Sequence, residues 1–401
     1  MSESLENLAS VLTPPGRGAV AVVIACGEQA MVAIDARFAA ANGRRIREQE
    51  INRIVFGHWR DANNHREEAI VCRTSQAEIE VHCHGGPAAV ERIIGHFAEA
   101  DCETIPWQQW LERQTPDKIT AEAKIALVEA TTLKTSAVLL QQHGGALRNE
   151  IQRIQQLIDS GEGSEALERV NHLIARIPFG LHLTKPWRVV IAGRPNVGKS
   201  SLINALVGYQ RAIVYDQPGT TRDVVSSVTA LEGWPVALFD VAGLRETGEP
   251  LEAAGIALAR ETIAAADLVL WVEEVDSAMS VGDSEFEQTV ASEVNQLVGQ
   301  PLAGSPLVVL NKCDKLGEST QAWRPELLVS ALTGEGIPEL IEEIIERLIP
   351  FAPEANEPIP FTQRQSTGLT RLAEELESNQ LEAAVRLCDE LLGHELSAKS
   401  Q

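Results

Sequence analysis

The sequence predicts a multidomain protein. An α+β N-terminal domain precedes a helical domain, and an α/β domain with a doubly wound, mostly parallel sheet is inserted into the helical one. Three observations carry this. The chain has 401 residues, more than one hydrophobic core ordinarily serves. From Pro186 onward, short apolar runs alternate with helical stretches, which is the rhythm of βα units. Helical periodicity stands on both sides of that stretch, which suggests one split helical domain, with two separate helical domains as the alternative.

Taken in order, residues 1–115 read as α+β. "GAVAVVIAC", "AIVCR" and "EIEVHCH" are β-like runs, and "PAAVERIIGHFAEA" is a short amphipathic helix. Residues 116–185 read as helical: Ile151, Ile154, Leu157 and Ile158 share one face, and Leu167, Val170 and Ile174 repeat that spacing. Gly161 and Gly163 mark the break between the two helices. Residues 186–350 hold the apolar runs "RVVIAG", "VALFD", "LVLWV" and "LVVLN" and end at a proline-rich link, "PFAPEANEPIPF". In residues 351–401 helical spacing returns, with one stripe of Leu369, Leu372, Ala373 and Leu376 and another of Leu381, Val385, Cys388 and Leu392.

Composition narrows the function classes. Apolar residues make up 44% of the chain and charged residues 23%, as in globular proteins. A net charge of −23 argues against broad attraction to nucleic acid or anionic membranes and leaves room only for a local basic patch. No apolar run is long enough to span a membrane, and the first residues, MSESLENLAS, carry no basic n-region. The six cysteines are scattered, which suits a reducing compartment, so a cytoplasmic location is expected. "HCH" at His82–Cys83–His84 resembles a metal cluster, but alternation along a strand would put Cys83 on the face opposite the two histidines. A strand running into the turn at Gly85 and Gly86 is expected instead.

The chemistry lies in the third segment. "GRPNVGKSS", from Gly193, follows an apolar strand and opens a helix, matching G-x-x-x-x-G-K-[ST] in the required context. Its glycines let backbone amides curl around phosphate oxygens. Lys199 adds charge at the β and γ phosphates, and Ser200 offers a hydroxyl to Mg²⁺. Gly193, Asn196, Val197, Gly198, Lys199, Ser200 and Ser201 are therefore expected to bind nucleotide. "NKCD" supplies Asn311, Lys312 and Asp314. The Asp314 carboxylate can accept the paired N–H and NH₂ of guanine, donors that adenine lacks. In "VSALTGEG", Ser330, Ala331 and Leu332 offer a backbone N–H to the guanine O6. Between these lies "GTTRD" (Gly219 to Asp223), with a threonine hydroxyl for Mg²⁺. In "DVAGLRE", Asp240 can hold the metal through water, and the Gly243 amide can contact the γ phosphate, flanked by Val241 and Ala242. Leu244, after that glycine, has no polar side-chain atom, so water must be oriented from elsewhere.

With these stretches the chain resembles the MnmE (TrmE) tRNA-modification GTPases. "GRPNVGKSSLINAL", "GTTRD", "GLRET" and "ADLVL" look like the P-loop G domain of that family, and "TPPGRGAV" and "HGGPAAVERI" look like its N-terminal domain. The resemblance implies a folate-binding, dimerising N-terminal domain, a split helical domain and an inserted G domain that hydrolyses GTP to GDP. It implies a homodimer, and a flavoprotein partner, MnmG, with which C5 of the wobble uridine in certain tRNAs is modified. It also implies a potassium ion, bound when two G domains meet, in place of the missing glutamine. The matching positions for K⁺ are Asn196, Tyr215, Gln217 and Thr220, in a loop running through Asp216, Pro218 and Gly219 to Thr221. The Mg²⁺ positions are Ser200 and Thr221. Glu252 matches the carboxylate that orients water, so Glu252, Asn196 and Lys199 form the implied catalytic set. For folate, Glu80 and Lys118 match, but the first-strand arginine falls on Ile24 and the terminal Cys-x-Gly-Lys motif has no counterpart in "GHELSAKSQ". Half of the folate site is thus expected to be lost. The alternatives to a tRNA-modifying enzyme are a divergent GTPase switch acting on a protein partner, and a module that binds GTP without turnover.

Overall fold

A computed structural model describes residues 6–16, 18–61, 65–209, 226–241, 252–275, 283–298, 304–316 and 327–393. The chain divides into two compact units, Met1–Pro116 and Asp117–Gln401.

The first unit contains β1 (Leu8–Val11), β2 (Val20–Cys26), α1 (Glu28–Arg37), β3 (Phe38–Ala40), β4 (Ile54–Arg60), β5 (Arg66–Arg73), β6 (Glu78–His84), α2 (Pro87–Glu99), β7 (Glu103–Thr104) and α3 (Trp107–Gln114). Its strands form a sheet in the order β3-β4-β5-β6-β2-β1-β7. Alternation along β2 sends Ala21, Val23 and Ala25 into a core with Ile93 and Phe97 of α2 and Ile34 of α1. Ile24 points the other way and is buried against Leu8, Ile105 and Trp110. Cys83 is buried in the helix-side core, while across the sheet His82 lies 3.3 Å from Glu80 and His84 lies 2.5 Å from Glu67.

The second unit begins with α4 (Lys118–Glu129), α5 (Leu133–His143), α6 (Ala146–Asp159) and α7 (Gly163–Gly180). Asp117 caps α4, accepting from the Thr120 amide at 2.8 Å. The α6–α7 break falls at Gly161, in the left-handed region at φ 82°. A sheet domain then follows: β8 (Trp187–Gly193), α8 (Lys199–Tyr209), β9 (Ser226–Leu231), β10 (Trp234–Asp240), α9 (Glu252–Ala264), β11 (Leu268–Glu274), α10 (Asp283–Val298), β12 (Leu307–Asn311), β13 (Leu328–Val329) and α11 (Ile337–Leu348). The chain ends its described part with α12 (Gln363–Glu377) and α13 (Leu381–Leu392).

The sheet order is β13-β12-β11-β8-β10-β9. Every pairing is parallel except β9 with β10, which form a hairpin through Glu232 and Gly233, both at positive φ. Leu202, Leu206, Leu340 and Ile344 of α8 and α11 pack on one face, and Ala259, Ile263, Val290 and Val294 of α9 and α10 pack on the other. This is a doubly wound α/β P-loop domain. The helical segments on either side of it pack together, α12 on α7 and α13 on α6, so the sheet domain is inserted within one helical bundle.

The Leu369–Leu376 stripe is buried as the spacing predicts, but on α13 the buried face is Ala384, Leu387, Cys388, Leu391 and Leu392. Leu381 and Val385 are only partly buried. The link returning from the sheet domain is held by the buried Gln142 of α5. Its Nε2 donates to Glu357 O at 2.9 Å and its Oε1 accepts from Ile359 N at 3.1 Å.

Candidate functional site

In a parallel sheet all strands end at one edge, and ligands gather there. Here Gly193, Asp240, Glu274, Asn311 and Val329 end β8, β10, β11, β12 and β13, and the loops after them carry most of the residues singled out by sequence.

Gly193 turns the chain at φ 137°, where a Cβ would collide with the carbonyl of Val272. Gly198, at φ 95°, would strike the Asn311 amide in the same way. Both positions admit only glycine. Asn196 is exposed at the tip of the loop in the left-handed region, φ 66°. Val197 is buried and Ser201 is exposed. Lys199 is buried, its Nζ donating to the carbonyls of Gly193 at 3.1 Å and Arg194 at 2.6 Å. Ser200 Oγ donates to Asp240 Oδ2 at 2.7 Å, so the hydroxyl and carboxylate expected around one metal do meet. Val241, after Asp240, is buried.

The other loops are laced to this one. Asn311, only 1% exposed, donates from Nδ2 to Val197 O at 2.8 Å and accepts from Ala331 N at 3.0 Å. Ser330 Oγ donates to Asp314 Oδ1 at 2.5 Å. Lys312, at φ 69°, reaches back to Asn196 O at 2.7 Å. Leu332 is exposed. Sequence reasoning missed Glu274, which pairs with Lys312 at 2.9 Å and Lys315 at 2.7 Å. Hydrogen bonds from Lys315 and then Lys312 hold its carboxyl below the ordinary value of 4.5. The signal was present, as two acids closing the apolar run "LVLWVEE".

Several expected residues fall outside the described residues: Tyr215, Asp216, Gln217, Pro218, Gly219, Thr220, Thr221, Ala242 and Gly243. Glu252 opens α9, but its side chain is likewise outside the described part. Glu80 and Lys118, matched to folate contacts, lie in different units. Glu80 is the cross-strand neighbour of Ile24, and Lys118 is exposed at the start of α4. Among the described residues, no group of histidine, cysteine and acidic side chains could hold a metal ion, and no helix is long and apolar enough to cross a membrane.

Comparison with known proteins decides the family. Residues 188–312 match the family described as 50S ribosome-binding GTPase. Over 98% of its length the chain is 31% identical to the tRNA modification GTPase MnmE of Symbiobacterium thermophilum, covering 93% of that protein. The chain belongs to the MnmE family. MnmE of Moorella thermoacetica is 29% identical over 98% of the chain and 92% of its own length. MnmE of Heliobacterium modesticaldum is 32% identical over 86% and 81%. As an MnmE family member the chain is a GTPase, and its ligand is a guanine nucleotide.

Proposed function

We propose that this chain hydrolyses GTP at the strand-end edge just described, in the cytoplasm, and that hydrolysis serves modification of tRNA wobble uridine at C5 beside an MnmG-like flavoprotein. In this reading residues 1–115 dimerise two chains, 116–185 and 351–401 form the helical domain, and 186–350 are the G domain. The observation that carries it is the lacing of four loops by Lys199, Asp240, Asn311 and Ser330 into one polar site.

Each residue then has a task. Lys199 transfers its ammonium from the two loop carbonyls to the β and γ phosphates, and the N-terminus of α8 faces the same anion. Asp314, steadied by Ser330, accepts the two guanine donors. The amides of Ser330 and Ala331 are taken by Glu335 O and Asn311 Oδ1, so the guanine O6 falls to the amide of Leu332. The oxygen donors Ser200 and Asp240, 2.7 Å apart, suit a hard cation. With Thr221 they would hold Mg²⁺, Asp240 through water. A bound Mg²⁺ supplies charge neutralisation at the phosphates. Asn196, exposed within the loop, has the amide oxygen that a potassium site needs, with Tyr215, Gln217 and Thr220 as its companions when two G domains meet. Glu252 orients the attacking water, the task that Leu244 cannot perform.

Single-turnover GTP hydrolysis in potassium and in sodium tests the cation account. Faster turnover in potassium, lost in Asn196→Ala with GTP binding retained, is the expected result. Equal slow rates in both salts would refute it.

A second reading has its own observation. Ile24, in place of the family's arginine, is buried with Trp110 in an apolar cluster, a surrounding hostile to a carboxylate tail. This supports a GTPase switch that has lost folate binding and regulates a protein partner. Calorimetric titration with folate separates the two readings: binding sustains the modification enzyme and its absence sustains the switch.

A further inference from the structure

The two acids that end β11 face opposite sides of the sheet, as successive strand residues must. Glu274 serves Lys312 and Lys315. Glu273 lies on the other face, 2% exposed, beside Trp271, whose Nε1 donates to its Oε1 at 3.0 Å. Its Oε2 is buried and has no hydrogen-bond partner among the described residues. A buried carboxylate with an open oxygen is costly, and a cation is the usual remedy. The cation at hand is Arg194, the second residue of the glycine-rich loop. Its Nε lies 3.5 Å from Glu273 Oε1 and its Nη2 lies 3.7 Å from Glu293 on α10, while its side chain is 59% exposed.

We propose that Glu273 is the socket for Arg194, and that this pair positions the phosphate loop. A guanidinium presents two parallel N–H groups to the two oxygens of one carboxylate. The open Oε2 is the place of the second prong. The pair acts through the backbone, because the carbonyl of Arg194 is the one that holds Lys199 Nζ at 2.6 Å. On the opposite side Glu274 steadies Lys312, which holds the carbonyl of Asn196. Consecutive acids of β11 thus fix the loop at its second and fourth residues. Neither acid belongs to the nucleotide motif, so this is a device of this chain's own strand. The inference rests on the reading of residues 193–200 as the phosphate cradle.

A double-mutant cycle tests it, using fluorescent N-methylanthraniloyl-GDP binding and steady-state GTP hydrolysis on the full chain. Arg194→Ala and Glu273→Gln should each weaken GDP affinity and raise KM for GTP by roughly 3- to 10-fold, the scale of one half-exposed charge-assisted pair. Most of the loss should fall on affinity rather than on kcat, because the cradle holds GDP and GTP alike. The double variant should be no weaker than the weaker single, and Arg194→Lys, which keeps the charge without the fork, should lie between. Multiplying losses, or singles that bind like the parent, would overturn the pairing, as would a change confined to thermal stability. Should Glu273→Gln not fold, Arg194→Ala and Arg194→Lys alter only an exposed side chain and still discriminate. A parent chain that binds no GDP would instead overturn the cradle, and this inference with it.

Discussion

Asn311→Ala is the most informative single change at the site, because its cost follows from two distances. The side chain is buried and makes two hydrogen bonds, to Val197 O at 2.8 Å and from Ala331 N at 3.0 Å. Truncation leaves a carbonyl and an amide without partners. Each buried orphan costs about 1–3 kcal/mol, so roughly 3 kcal/mol is expected for the two. Where that cost appears depends on what the loops do. If they stay together without nucleotide, it appears as lost stability. If they part and both groups find water, stability is spared and nucleotide must regather the loops, so affinity falls on the order of 100-fold. The sum is fixed even though the division is not. Urea unfolding of the nucleotide-free chain and titration with fluorescent GDP measure the two parts. A combined change below about 1 kcal/mol would refute the view that Asn311 acts as a tie between the loops.

Other changes have separate signatures. Gly198→Ala places a methyl against the Asn311 amide at a positive φ, so GDP binding should be lost in the same titration while circular dichroism stays that of the parent. Ser200→Ala removes the hydroxyl beside Asp240, so hydrolysis should slow and need more Mg²⁺ for its maximum, while GDP binding in chelator persists. Gln142→Leu strips the partners from Glu357 O and Ile359 N. It should cost about 2–4 kcal/mol of stability in urea and leave GDP affinity alone, since it lies in the helical bundle. Glu274 has a lowered folded pKa, so its pairing stabilises fully above the ordinary value of 4.5 and the contribution is lost as pH falls through the folded value. The melting-temperature gap between the parent and Glu274→Gln should therefore be flat above that pH and close below it; a gap that widens in acid would contradict the assigned sign.

How much of this was legible in the sequence follows from burial. β8, β10, β11 and β12 are covered on both faces by helices, so they appear as unbroken apolar runs. β9, "SSVTAL", is an edge strand with mixed polarity, and only its pairing with β10 identifies it. β4, "IVFGHWR", buries Val55 and Trp59 but exposes Ile54 and Phe56, so its apolar residues do not sort onto one side. α1 has Ala30, Met31, Ala33 and Ile34 buried on one face, but the exposed Val32 between them makes the apolar run continuous and hides the helical stripe. On α13 helical spacing alone admits Leu381 and Val385 to the stripe, whereas the buried face is turned to Ala384, Leu387 and Leu391, and a small alanine is not distinctive in sequence.

At the site the division is sharper. The motif residues are legible because their tasks are local: a glycine at positive φ, a lysine six residues after the first glycine, a serine beside it. Their supports are not local. Glu273 and Glu274 matter to the phosphate loop only because β11 lies next to β8, an adjacency created by sheet order across some eighty residues of chain. Asn311 shows the same logic within a motif, since its base-side neighbours are legible and its hold on Val197 is not. A glycine-rich loop supplies the amides that bind phosphate but no rigidity of its own. That rigidity is contributed by neighbouring strands, through Asn311 and Lys312 of the second motif and through Glu273 and Glu274, which no nucleotide motif contains. Variation in nucleotide affinity among chains sharing one motif is therefore expected to track positions such as 273 and 194. Exchanging Glu273 and Arg194 together, while keeping every motif residue, is the direct measurement of that claim.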